Sequence, residues 1–299
     1  CLTSVLFFFF KFYTMEKNKV KQIHDYGQSI WLDFIDRQII KSGELQRLID
    51  EDGVRGVTSN PAIFEKAING SEDYKDDIRQ LSAQSLPPED LFYKIAVKDI
   101  QSAADLFAPL YNEQVKGADG YVSLEVSPKL ALQTEATIQQ AKKLWQEVDR
   151  KNVMIKIPGT LAGLEAIQHC IAEGININVT LLFGLGRYKA VTEAYISGLE
   201  ARVESGKPVD HIASVASFFL SRIDVLIDPL LEDKGLKQLQ GEVAIASAKQ
   251  AYQIYKNIFS GPRWEKLAAA GAKPQRLLWA STSSKNPAFK STKYVDALI

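Results

Sequence analysis

Asn152-Val153-Met154-Ile155-Lys156-Ile157-Pro158 is a short apolar run closed by proline, with one lysine set inside it. A run of that length and character reads as a buried strand. A cation in such a strand is costly unless it is paired or loses its proton, because burial disfavours the ammonium form. A neutral amine in a dry pocket is a nucleophile that forms a Schiff base with a carbonyl compound. Taken alone, the run favours a lysine snorkelling from an edge strand to water. The rest of the chain reverses that order.

Working outward, strand-like runs recur near Ile30–Ile35, Gly56–Asn60, Gly120–Val126, Asn152–Pro158, Ile175–Phe183, Ile212–Phe219 and Arg276–Ser283. Helical stretches separate them, with amphipathic spacing over Ala131–Val148 and Tyr188–Val203 and an alanine-rich run over Gly241–Phe259. Strand–helix alternation means parallel strands joined by right-handed crossovers. With no dinucleotide fingerprint, the pattern predicts an α/β fold, a (β/α)8 TIM barrel, with an open doubly wound sheet as runner-up. The seven runs leave the eighth strand missing, and the chain stops at Tyr294–Ile299 without a stop signal, so it reads as truncated before that strand. Such a fragment is expected to fold poorly or aggregate through its open edges.

Composition narrows the function. Balanced charge, with 36 basic and 36 acidic side chains, gives no basic surface for nucleic acid or for an acidic membrane. Only Cys1 and Cys170 are present, which excludes a disulfide framework and points to a reducing compartment. His24, His169 and His211 match no zinc spacing, so neither a metal nor another cofactor is expected. Residues 1–14 open with an apolar run and no methionine, while Met15 begins an ordinary polar segment. They read as non-native upstream sequence or a targeting remnant, too short to span a bilayer, ahead of a barrel domain over 15–299. A cytoplasmic location is expected, or a plastid one if the leader is a targeting remnant.

Active sites of such barrels lie at the C-terminal ends of the strands, and a strand's period of two lets the faces be read directly. Asp33 opposes Ile30, Leu32 and Phe34; Ser123 and Glu125 oppose Val122, Leu124 and Val126; Asn176, Asn178 and Thr180 alternate with apolar residues in the fifth run. Asn60 ends the second run, Lys156 sits in the fourth and Ser217 in the sixth. A packed barrel centre is mostly apolar, so this many inward polar groups call for a ligand, and Lys156 becomes a candidate nucleophile. Each group also has a plainer reading. Asp33 reads equally as a cap or an arginine's partner, Asn60 before Pro61 reads first as a helix cap, and Asn178 and Thr180 read as satisfied core polars. Glu125, mid-strand with apolar neighbours, suits a purely structural role less well. Ser217 and Arg222 suit a phosphate by hydrogen bond and charge, or are a hydroxyl and a surface cation. Phe218 and Trp279 read as core, with Phe219 a candidate for the pocket wall.

Gly56-Val57-Thr58-Ser59-Asn60-Pro61-Ala62-Ile63-Phe64, Ser123-Leu124-Glu125-Val126-Ser127-Pro128, Ile155-Lys156-Ile157-Pro158 and Asn178-Val179-Thr180-Leu181-Leu182-Phe183 resemble the transaldolase family in order and spacing. The resemblance covers about residues 20–299 and is nearest the longer bacterial and plant-type members, some of them fused to phosphoglucose isomerase. It implies a pentose phosphate pathway transferase that moves a dihydroxyacetone unit from a ketose phosphate (sedoheptulose 7-phosphate or fructose 6-phosphate) to an aldose phosphate (glyceraldehyde 3-phosphate or erythrose 4-phosphate). By the same resemblance Lys156 is the Schiff-base lysine, Asp33 the acid/base for carbon–carbon cleavage, and Glu125 the carboxylate that works through a water. Asn60, Asn178 and Thr180 would hold the dihydroxyacetone hydroxyls and that water, and Ser217 and Arg222 the phosphate. Lys285 stands nearest to the place where the family often has a phosphate-binding arginine. Related fructose-6-phosphate aldolases usually carry tyrosine where this chain has Phe219, so an aldolase is the nearer rival reading and an inactive fragment the more distant one.

Overall fold

The computed structural model describes residues 18–299. The segment 1–14 singled out above lies outside the described residues. Seven strands form one sheet: β1 (Ile30–Leu32), β2 (Val54–Val57), β3 (Tyr121–Glu125), β4 (Val153–Pro158), β5 (Ile177–Leu182), β6 (Ser214–Phe219) and β7 (Arg276–Ala280). Every neighbouring pair is parallel and the order is sequential, β1 through β7. An open doubly wound sheet reverses its strand order at a switch point. No reversal occurs here, so the sheet is that of a TIM-type barrel, with seven of its eight strands among the described residues.

Each crossover carries a helix whose apolar stripe covers the sheet. In Thr134–Val148 the buried residues are Thr137, Ile138, Ala141, Leu144 and Val148, the three-to-four spacing of a single helical face. Thr160 caps Leu161–Glu173 by accepting the Gly163 N–H at 2.9 Å, and Gly174, at φ +93°, ends it in the left-handed region. The Leu185–Glu204 helix packs Tyr188 against Phe218 on β6, edge to face at 6.3 Å, and Phe218 meets Trp279 on β7 in the same way at 6.2 Å. Phe218 is thus core, as its sequence position suggests. All six residues of β4 are buried, whereas β1 and β7 are half-buried along their length, since each is paired on one side only among the described residues.

The gap between β1 and β7 is bridged at the N-terminal ends of the strands. Arg276, the first residue of β7, donates to Asp119 Oδ1 at 2.9 Å and to Ser29 Oγ at 3.0 Å, and Ser29 Oγ donates to Asp119 Oδ2 at 2.6 Å. At the opposite end the strands open into a cavity of about 930 Å³ that continues into the slot between β1 and β7.

Candidate active site

Register brings the polar residues of neighbouring strands into one row. Glu125 on β3 pairs with Lys156 on β4, and Lys156 with Asn178 on β5; one step further, Pro158 pairs with Thr180. The Lys156 ammonium, 7% exposed, lies 3.1 Å from Glu125 Oε2 and donates to the Ser59 carbonyl oxygen at 3.0 Å. Burial pushes the Glu125 carboxyl above the usual range, the adjacent Lys156 pulls it back, and the charge of Asp33 raises it further. The snorkelling alternative fails, because the side chain points to the barrel interior and is paired there.

Lys156 lines the cavity together with Asp33, Asn60, Thr180, Ser217, Phe219, Arg222 and Lys285. Glu125 and Asn178 are not part of that wall. Glu125 meets it through Lys156, and the fully buried Asn178 through Ser217. Ser217 Oγ donates to Asn178 Oδ1 at 2.7 Å, and Asn178 Nδ2 donates to Ser123 Oγ at 3.0 Å. The chain of bonds links β6, β5 and β3, and it commits the proton of Ser217 to the protein. Ser217 therefore presents lone pairs to the cavity and suits a hydroxyl donor better than a phosphate.

Several local details differ from the sequence expectation. Asp33 lies just past β1 and is exposed, and Phe34 is 42% exposed, so the alternation ends at Leu32. Glu125 is the last residue of its strand, not a mid-strand one. Asn60 does cap the next helix, its Oδ1 accepting the Ile63 N–H at 3.0 Å, and it lines the cavity as well. Asn176 lies below the cavity row, where its Nδ2 donates to the Lys151 and Val153 carbonyls and its Oδ1 accepts the Ala213 N–H. Leu181 sits at φ +60° and is 46% exposed, where the β5–β6 register shifts between Val179 and Leu182. This bulge breaks the alternation after Thr180 at a backbone cost of about 1–2 kcal/mol.

At the rim, Arg222 stands at the start of the Ser221–Asp233 helix, 5.8 Å from the Phe219 ring centroid, and Phe219 lies 5.2 Å from Phe183. Lys285 Nζ donates to Ser283 Oγ at 2.6 Å. Among the described residues neither Arg222 nor Lys285 is ion-paired with a carboxylate, which leaves two uncompensated cations facing one cavity. Sequence reading missed the Ser59 carbonyl as a partner of Lys156. The Thr58-Ser59-Asn60-Pro61 run marked the place, but a main-chain contact leaves no residue-type signal.

A buried lysine paired with a glutamate at the wall of a barrel mouth is joined here by an unbroken family match: the family described as Transaldolase/Fructose-6-phosphate aldolase matches residues 30–299. The chain belongs to this family. It is 51% identical over 296 residues to the transaldolase of Trichodesmium erythraeum (strain IMS101), a match covering 95% of this chain and 78% of that protein. Transaldolase 2 of Nostoc sp. (strain PCC 7120 / SAG 25.82 / UTEX 2576) is 50% identical over 297 residues, with 95% and 78% covered. The transaldolase of Saccharopolyspora erythraea is 47% identical over 283 residues, with 94% and 76% covered. Transaldolases are transferases, so the chain is of an enzyme family. No helix among the described residues is long and apolar enough to cross a membrane.

Proposed function

We propose that the chain transfers a dihydroxyacetone unit from a ketose phosphate to an aldose phosphate through a Schiff base on Lys156. The observation that carries this reading is the buried Lys156 side chain, held by Glu125 and the Ser59 carbonyl at the wall of a cavity whose lining includes Arg222 and Lys285, neither ion-paired with a carboxylate among the described residues. The Lys156 ammonium passes a proton to Glu125, and the neutral amine attacks the ketose C2 carbonyl to give a carbinolamine. Glu125, close to Lys156 but outside the cavity wall, hands a proton through a water to the departing hydroxyl, and an iminium forms. Asp33, exposed at the mouth, takes the proton from the C4 hydroxyl as the C3–C4 bond breaks, and the electrons flow into the iminium. The aldose phosphate leaves and the enamine stays on Lys156 until an acceptor aldose phosphate reverses the steps. Asn60 and Thr180 hold the hydroxyls of the three-carbon unit, and Asn178 orients Ser217, which accepts from one of them. Arg222 and Lys285 bind the phosphate, so that binding energy far from the reacting carbons orients the substrate. The donors are sedoheptulose 7-phosphate or fructose 6-phosphate, the acceptors glyceraldehyde 3-phosphate or erythrose 4-phosphate, and the setting is the pentose phosphate pathway in the cytoplasm.

A second reading is an aldolase, which protonates the enamine and releases the unit. Phe219 on the cavity wall favours transfer, because a phenyl ring has no proton to donate. The test of the main reading is to incubate the chain with fructose 6-phosphate, reduce with borohydride and map the adduct by mass spectrometry. A reduced three-carbon adduct on Lys156 is expected; an adduct elsewhere, or none in a folded sample, sinks the Schiff-base assignment. Product analysis with and without an acceptor aldose phosphate then separates transfer from release.

A further inference from the structure

The two rim cations stand on different segments. Arg222 is on the helix that follows β6, and Lys285 is on the strap that leaves β7 and ends in the short Lys293–Leu298 helix. Between β7 and that helix the strap forms only turn-type bonds of its own among the described residues, such as Ser284 Oγ and the Phe289 N–H to the Asn286 carbonyl. Its two ends, however, are both tied to the first turn of the Arg222 helix. At the near end, the Ser221 N–H donates to the Ser281 carbonyl at 3.1 Å, the two hydroxyls meet at 2.8 Å, and Ser281 is held at φ +56°. At the far end, the buried Tyr294 hydroxyl donates to the buried Asp224 Oδ2 at 2.7 Å, while Asp224 Oδ1 accepts the Ala244 N–H at 2.9 Å. Ser221, Arg222 and Asp224 thus span one helical turn: a tether, a cation and a second tether.

A helix as short as Lys293–Leu298 has no stability of its own, so its position depends on tertiary contacts such as this one. Tyr294 also lines the cavity beside Lys285. Neither Tyr294 nor Asp224 is assigned any part in the chemistry proposed above, yet a buried carboxylate satisfied by one hydroxyl and one amide is a costly thing to keep for packing alone. We propose that Asp224 and Tyr294 are positioning residues for the phosphate: they fix the strap so that Lys285 stands opposite Arg222. This rests on the reading that Arg222 and Lys285 bind the substrate's phosphate.

The test is a double-mutant cycle read by borohydride trapping of the 299-residue chain, with Tyr294→Phe, Lys285→Ala and the pair. Half-saturating concentration and maximal trapping rate are measured for fructose 6-phosphate and for unphosphorylated fructose. Tyr294→Phe should raise half-saturation by fructose 6-phosphate about five- to tenfold, the size of one buried hydrogen bond. It should leave the maximal rate and the fructose half-saturation within about twofold, and add less than about twofold once Lys285 is already alanine. Additive effects, or an equal loss with fructose, overturn the positioning role and leave the phosphate reading standing. If Lys285→Ala alone changes nothing for fructose 6-phosphate, the phosphate reading falls, and this inference with it. Should Tyr294→Phe fail to fold, the same cycle with Asp224→Asn decides by the same criteria.

Discussion

A single ion pair carries most of what is unusual in this barrel. Lys156 and Glu125 are buried together, and removing one partner of a buried pair leaves the other uncompensated. Lys156→Met keeps the volume of the side chain and deletes its charge and nucleophile. Schiff-base trapping should vanish, and stability to urea at neutral pH should fall by about 3 kcal/mol, the lower end for a broken buried pair. The pH dependence follows from Glu125, whose folded-state pKa lies above the ordinary glutamate range. A raised carboxyl costs stability once it is ionised, and the cost disappears as pH falls through the raised value toward the ordinary one. The gap between wild type and Lys156→Met should therefore narrow as urea titrations move from pH 7 into that window. A gap that widens on acidification would show that Glu125 is not the stranded group. At this scale the sequence was informative where chemistry is tied to residue type: Lys156, Glu125 and Asp33 stand out as charges in apolar runs. The Ser59 carbonyl and the direction of the Ser217 proton do not, because one is main chain and the other depends on who sits across the sheet.

Strand ends, more than strand middles, decide what faces the cavity. The apolar runs placed every strand within a few residues, β4 being wholly apolar but for Lys156, and a period of two gave the faces of β3 and β5. It failed at the C-terminal ends, where β1 stops at Leu32 and leaves Asp33 on a bend, and where the β5 bulge turns Leu181 outward. Bulges and strand stops come from local backbone geometry that residue spacing does not record. The long Pro88–Pro109 helix was likewise only implied as a spacer, its many buried residues blurring the amphipathic stripe. Leu181 offers a direct test of the bulge. A non-glycine residue in the left-handed region costs about 1–2 kcal/mol, and glycine's extra freedom in the unfolded chain returns about 0.5–1 kcal/mol of that. Because nearly half of the leucine's surface is exposed, Leu181→Gly should stabilise the protein by about 0.5–1 kcal/mol in denaturant titrations, with trapping at Lys156 unchanged. Destabilisation would mean that the leucine side chain contributes packing the geometry does not reveal.

Across the molecule, protection should follow the distance from the open slot. The central strands are buried on both faces and paired on both sides, whereas β1 and β7 are half-buried and, among the described residues, paired on one side. Local opening is easiest where buried apolar contacts are few. Native-state hydrogen exchange should find β4 amides the slowest and those of β1 and β7 the fastest among the strands, and Arg276→Ala, which removes the bridge to Ser29 and Asp119, should speed β7 further. Uniform protection across the sheet would contradict an open slot. The barrel class itself was legible in the sequence, because strand–helix alternation without a dinucleotide fingerprint leaves few alternatives. The sequential order that decides between barrel and open sheet was not, since a linear pattern does not say which strands touch. That order also bears on how the chain assembles during synthesis. Each strand pairs with the one made just before it, so every added unit finds its partner already waiting as it leaves the ribosome. The Arg276 clasp to Ser29, 247 residues away, ties β7 back to the approach to β1, and it has to wait until all the strands between them have been made.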